Sequence, residues 1–407
     1  MGSTAGEVTR ADFPEGFVFG VATSAYQIEG ARNEGGKGDS IWDVFTDNKE
    51  RVLDGSSGEV AVDHYHRYKE DIELMAKLGF GAYRFSISWS RIFPDGLGTA
   101  INEQGVAFYN NLIDFMIEKG VAAEPFLAGH HQILAHAAAV DVYRRKFKAK
   151  QGGQVGFVID CEWAEPMSDK MEDQAAAARR IDFQLGWFLD PIYFGDYPES
   201  MRQRVGEYLP KFSEKDRELM RNKIDFIGLN HYTTRIIGNR PNPQPQEIHF
   251  YQVEQIERSE KWSSGEAIGE RAASEWLLIV PWGIRKTINY IVKKYENPII
   301  YITENGMDDE DDPSAPVDQF LNDTKRVNFF KGYVGAVAQA IKDGADVRGY
   351  FAWSFVDNFE WAMGFTKRFG IVYVDYKNGL SRRPKASAMW FSRFLNGEAA
   401  DSKPDTN

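Results

Sequence analysis

Six short apolar runs set the rhythm of this chain, beginning near residues 17, 82, 155, 224, 298 and 347. Near-continuous apolar runs, rather than alternating ones, are the pattern of parallel strands buried on both faces. Between the runs lie stretches with apolar residues at helical spacing, over 63–78, 108–119, 130–148, 169–187, 282–295 and 327–343. Strand–helix alternation of this kind predicts an α/β chain with a parallel sheet. One interval breaks the alternation. After the helix that ends at Gly120, the chain reads Val121-Ala122-Ala123-Glu124-Pro125 and enters the helix predicted from His130. Two helices therefore follow one another with no strand between them.

The ends of the runs carry the polar residues, and the C-terminal ends of barrel strands are where side chains are free to act. The first run, FVFGVATSAYQIEG over 17–30, opens into a loop with Gln27 and Glu29. The second, GAYRFSISWSRI over 81–92, carries Arg84 and Trp89, and the third spans Val155 to Trp163. IDFIGLNHY over 224–232 ends in polar groups, and Val347 to Phe355 continues into Asn358-Phe359-Glu360-Trp361. The run from Asn297 ends on a carboxylate, Glu304, followed by Gly306. A carboxylate so placed can attack a sugar's anomeric carbon and form a covalent glycosyl-enzyme. It can equally cap the next helix, and the six residues Tyr301 to Gly306 do not by themselves separate these readings.

Composition narrows the class. A length of 407 residues suits one α/β barrel with insertions. Aromatic residues reach 14% with ten Trp, which suits stacking on sugar faces, although most of them must fill core. A net charge of −12 argues against a nucleic acid or an anionic membrane as partner. The single cysteine, Cys161, permits no intrachain disulfide and reads as a buried small hydrophobe. With no apolar h-region before Phe13, no signal peptide and no membrane-spanning run, the expectation is a cytoplasmic protein. Met1-Gly2 is followed by Gly6 where myristoylation wants Ser or Thr. His130, His131 and His136 lack a His-Glu-x-x-His pattern and read as structural rather than as zinc ligands. The acidic stretch 308–316 lacks the glycine and final Glu of a calcium loop and reads as solvated, and Pro-rich 239–246 reads as a surface excursion.

Five motifs in order resemble glycoside hydrolase family 1, and most closely its plant β-glucosidases. They are Phe17 to Gly30, RFSISW at 84–89, LNHY at 229–232, YITENG at 301–306, and the stretch from Trp353 through Trp361 to Phe369. The resemblance implies a TIM (β/α)8-type barrel, a single domain over 13–395 between a polar segment 1–12 and a disordered tail 396–407. It implies hydrolysis of terminal β-D-glucosyl residues with retention, a small-molecule β-glucoside as partner, and neither cofactor nor metal. Carried over by motif, Glu304 resembles the nucleophile, and Arg84 and Tyr232 the groups that hold and tune it, with Asn230 in the same shell. Gln27, Glu360 and Trp361 resemble the ligands of the glucose hydroxyls. Trp353 resembles the platform beneath the sugar, and Phe369 falls in the same substrate-binding set.

The family carries two further motifs. His-Trp-Asp ends its third strand, and Thr-x-Asn-Glu-Pro ends its fourth, supplying the general acid/base. Neither is present in this sequence, and only nine residues separate Gly120 from His130. Two βα units, on the order of 60 residues, have no room there. The resemblance thus implies a barrel internally truncated near 120–130 to about six strands, with a gap rather than a smaller closed barrel, because tilt and stagger are tied to strand number. The nucleophile is present and the acid/base is not. Glu124-Pro125 resembles the family's helix-entry segment, so Glu165-Pro166 is the better candidate for a substitute acid. Three readings remain open: a retaining β-glucosidase with turnover absent or strongly impaired, a non-catalytic glucoside-binding pseudoenzyme, and a poorly folding truncated product.

Overall fold

The computed structural model describes residues 8–13, 18–78, 80, 82–84, 86–96, 102, 124–206, 209–221, 224–240 and 253–398. The helix expected over 108–119, most of the Pro-rich stretch and the end of the tail lie outside the described residues. Six strands build the central sheet: β1 (Val18–Ala22), β2 (Ala82–Arg84), β3 (Gly156–Asp160), β4 (Phe226–Asn230), β5 (Ile300–Asn305) and β6 (Val347–Trp353). All neighbouring pairs are parallel, in the order β2-β1-β6-β5-β4-β3. The last strand thus bonds back to the first, with Val18 to Ala22 opposite Gly349 to Trp353. That return pairing is the signature of a sheet wrapping into a barrel rather than fanning open. β2 and β3 are the two ends, and among the described residues no backbone pairing joins them. They flank the interval in which the sequence has no strand.

The core follows from the apolar runs. Ile227, Leu229, Ile300, Ile302 and Val347 are buried, and such side chains stabilise by about 1.5–3 kcal/mol each. Phe19 closes one end of the barrel between Phe13 and Phe394, at ring separations of 5.0 and 5.2 Å. Helix α1 (His64–Lys77) lies between β1 and β2 in sequence, and helix α2 (Glu124–Lys146) precedes β3. Helix α3 (Met171–Ile181) follows β3, and helix α4 (Pro281–Lys294) leads into β5. Helix α5 (Thr324–Lys342) carries its apolar stripe, Phe330, Tyr333, Val334 and Val337, into the core. Beyond the barrel, Trp163–Pro166 pairs with Thr234–Asn239, which pairs with Ile256–Ser259 in a separate three-stranded sheet.

Three expectations need adjustment. Helix α2 begins at Glu124, six residues before the expected His130. The 169–187 helix is not continuous, because a π-helical turn at Asp182–Gly186 separates α3 from the helix Trp187–Phe194. The acidic stretch is not simply solvated. Asp308 is buried and accepts bonds from Ser274 N and Oγ, Asp309 pairs with Arg326 at 2.6 Å, and Asp311 pairs with Arg368 at 2.5 Å. Those arginines are almost wholly buried, and a buried guanidinium requires carboxylates around it. His130 bonds Tyr197 Oη at 2.9 Å, and His136 meets the edge of Phe157. Burial pushes the His136 imidazole down to about 4. Among the described residues no group of three His, Cys, Asp or Glu is placed to hold a metal ion.

Strands β5 and β6 meet tightly at their C-terminal ends. A Cβ on Gly306 would lie 1.7 Å from the carbonyl oxygen of Trp353. Gly306→Ala must push backbone aside, and overpacking of this kind costs about 1–3 kcal/mol. A urea titration should show the midpoint falling with an unchanged slope.

Candidate active site

Glu304 owes its direction to a break in the ladder. On one side Ile302 pairs with Leu229 and Glu304 with Asn230, and on the other Ile302 pairs with Tyr350 and Asn305 with Ala352. One residue more is therefore used in β5 than in either neighbour, a bulge of the kind that re-aims a side chain. Thr303 turns inward and donates to Asn230 Oδ1 at 2.7 Å, which holds the bulge. Glu304 turns to a cavity of about 540 Å³ at the C-terminal ends of the strands and accepts the Tyr232 hydroxyl at 2.6 Å. Burial and the charge of Glu304 raise the Tyr232 phenol far above its usual range, so it stays a neutral donor. Asn230 thus supports the bulge through Thr303. Arg84 ends β2 opposite Ala22, and its side chain lies outside the described residues.

The rest of the expected set gathers around the same cavity. Gln27, fully buried after β1, donates from Nε2 to Glu360 Oε2 and to Asn358 Oδ1, both at 3.3 Å. The hydroxyl of Ser24 donates to its carbonyl oxygen, so both ends of the amide group are bonded. Trp353, at the end of β6, is nearly buried beneath the cavity, and Phe369 packs near Tyr232. Trp361 stands on the rim against Trp42, with ring centres 5.0 Å apart. Burial pushes the Glu360 carboxyl up to about 8, helped by the negative charges of Asp308 and Glu304 and opposed by Gln27.

Four lining residues were not expected: Ser24, Ser86, Trp276 and Asp160. Ser86 lies inside the RFSISW motif and accepts the Ala25 amide at 2.8 Å. Trp276 reaches the rim from an irregular segment and meets Tyr232 edge-on at 5.8 Å, with no sequence pattern to announce it. Asp160 did have a signal, since β3 ends an apolar run on a carboxylate just as β5 does. The suggested substitute Glu165 is elsewhere. It sits in the outer sheet, accepts the Trp163 indole N–H at 2.6 Å and pairs with Lys286 at 2.7 Å. Alternation along a strand that has left the barrel turns it toward α4. The side chain of Glu124 lies outside the described residues.

Carboxylates at the strand ends of a wrapped parallel sheet, over an aromatic-walled cavity, define the functional face of a TIM-type barrel. The family model described as glycosyl hydrolase family 1 matches residues 9–124 and 120–399, and the chain belongs to that family. It is 64% identical to "Beta-glucosidase 4" of Oryza sativa subsp. japonica, covering all of both chains. It is 53% identical to "Beta-glucosidase 42" of Arabidopsis thaliana over 96% of this chain and 95% of that one. The alignment with the rice protein runs to 485 positions, so at least 78 of them (485 less 407) are gaps in this chain. A rice β-glucosidase structure carrying covalently bound Glc superposes with a TM-score of 0.91 at 39% identity, over 95% of this chain and 99% of the other. A β-glucosidase from the fungus Humicola insolens in complex with glucose gives 0.87 at 36%, over 95% and 98%.

The raised Glu360 carboxyl makes stability depend on pH. Between the ordinary carboxyl value of 4.5 and about 8, the folded protein keeps a proton that the unfolded chain has lost. Stability therefore falls as pH rises through that window. Glu360→Gln removes the effect, so the variant should gain on the wild type by about 1 kcal/mol or more between pH 5 and pH 8 in paired denaturant titrations.

Proposed function

We propose that this chain is a β-glucoside-binding member of the family that keeps the nucleophilic half of a retaining site, with turnover of ordinary glucosides strongly impaired. The carrying observation is Glu304, aimed by the β5 bulge into a cavity it shares with Gln27, Trp353 and Glu360, and held by the Tyr232 hydroxyl at 2.6 Å. In the retaining mechanism the carboxylate attacks the anomeric carbon while a second carboxyl, about 5–5.5 Å away, protonates the leaving oxygen. Glu360 can accept two sugar hydroxyls, and Trp353 offers its flat face to the ring. The relatives' names, and the Glc unit bound in the rice structure, support glucose as the sugar.

Impairment rests on what the sequence lacks. No Asn-Glu-Pro triplet occurs in it. Two further observations support loss of the units carrying strands three and four of the family barrel. The family match breaks at 120–124, and β2 and β3 are the ends of the described sheet. A single, buried cysteine supports a cytosolic setting.

Incubation with a 2-fluoro dinitrophenyl glucoside, whose leaving group needs no acid, should add one fluoroglucosyl group at Glu304 by intact-mass spectrometry. The adduct should be absent in Glu304→Gln. Ordinary alkyl glucosides should turn over about 10²–10⁴-fold more slowly than in a relative with a full acid/base. A folded protein that takes no label, and gives equal, absent heats with glucose in wild type and Glu360→Ala, is not a glucoside-binding protein.

A further inference from the structure

Among the described residues, Asp160 alone lines both the sugar cavity and a second cavity of about 520 Å³ beside it. The second cavity lies against β3 and the helical segment that follows α3, and its wall is aromatic. Phe157 and Phe188 stack at 5.8 Å, and Phe188 stacks on Trp187 at 5.2 Å. Its charged residues are committed to partners. Arg180 bonds Glu162 and Glu254, and Arg258 bonds Glu162. Asp160 and Glu304 are both in register with Asn230, one on each side of it. Strands lie about 4.8 Å apart, so the two Cα atoms are about 10 Å apart. Both side chains line the same cavity, and side chains that lean toward each other from that spacing close the gap toward the separation of about 5–5.5 Å at which a retaining carboxyl pair works.

We propose that Asp160 is the acid/base of this site, and that the second cavity receives an aromatic leaving group. The inference rests on the glucosidase reading above. As the Glu304 carboxylate bonds to C1, the bond from C1 to the glycosidic oxygen breaks, and Asp160 gives that oxygen its proton, releasing a phenol. The Asp160 carboxylate then takes a proton from water as the water oxygen attacks C1, and the ester to Glu304 breaks to give glucose and the starting site. Glu360 is less suited to the task, because it lines only the sugar cavity and is tied to Gln27.

The surroundings favour a proton on Asp160 before reaction. Crowding by protein, then the negative charges of Glu304 and Glu162, push its carboxyl up to about 7 against the pull of Arg180. Glu360 and Tyr232 face it across the sugar cavity, and Glu254 and Arg258 line the second cavity with it; of these Tyr232 stays neutral. The Asp160 side chain is exposed to the cavity, which weakens the burial contribution and leaves the neighbouring negative charges acting in the same upward direction.

The test pairs phenyl β-D-glucoside hydrolysis with Glu304 labelling, in wild type, Asp160→Asn and Glu304→Gln. Wild type should hydrolyse phenyl glucoside slowly, at a rate that falls with rising pH as Asp160 loses its proton, while labelling by the dinitrophenyl reagent lacks that limb. Asp160→Asn should lose about tenfold or more on phenyl glucoside, still label at Glu304, and yield glucosyl azide from a dinitrophenyl glucoside when azide is added. Equal rates in Asp160→Asn and wild type overturn the proposal. So does a wild type that labels but hydrolyses no phenyl glucoside, or whose rate does not fall with rising pH, and these two need no variant that folds. A folded wild type without label instead sinks the glucosidase reading itself.

Discussion

The return pairing of β6 onto β1 is the constraint on which everything else depends. It brings Ala22 level with Trp353, and so sets the loop after the first strand against the loop after the last. Gln27 and Glu360, 333 residues apart in sequence, meet only because of that register. A buried charge cluster fixes the second loop from below. Asp357 accepts Arg368 at 2.7 Å, Lys385 at 2.8 Å and the Gly370 amide. Removing one member of such a cluster leaves the others charged and dry, which costs far more than the cluster gains over an apolar replacement.

The site concentrates negative charge. Glu304, Glu360 and Asp160 share one cavity, with Asp308 close behind. Like charges in a confined space cannot all ionise, so their proton affinities separate. Glu360 and Asp160 are both pushed upward, and each has Glu304 among the causes. Tyr232, by contrast, donates to Glu304 and offers that carboxylate a partner without adding charge. Environment therefore gives chemically similar carboxyls different proton affinities.

Much of this was legible in the chain. The six apolar runs became six strands, and their starts lie within about two residues of where the pattern put them, because a strand buried on both faces has little freedom to slip. Residues from all five motifs, Gln27, Ser86, Tyr232, Glu304 and Trp353 among them, line one cavity. What escaped were features set by tertiary context. Trp276 arrives on an irregular segment, where no periodicity operates. The acidic 308–316 stretch looks solvated until Arg326 and Arg368 appear beneath it, and they come from a helix and a short strand later in the chain. Glu165 and Asp160 lie five residues apart on the same extended stretch. Only the departure of that stretch from the barrel decides that one faces the cavity and the other Lys286.

The place of β3 at the end of the described sheet bears on more than the site. Val158 on that strand is exposed, and among the described residues no strand covers the side away from β4. A bare row of N–H and C=O groups accepts any extended chain of suitable length, including another copy of itself. Capture by another copy is second order in protein concentration, whereas folding is first order. Edge-to-edge capture therefore grows more steeply than folding with the amount of protein made.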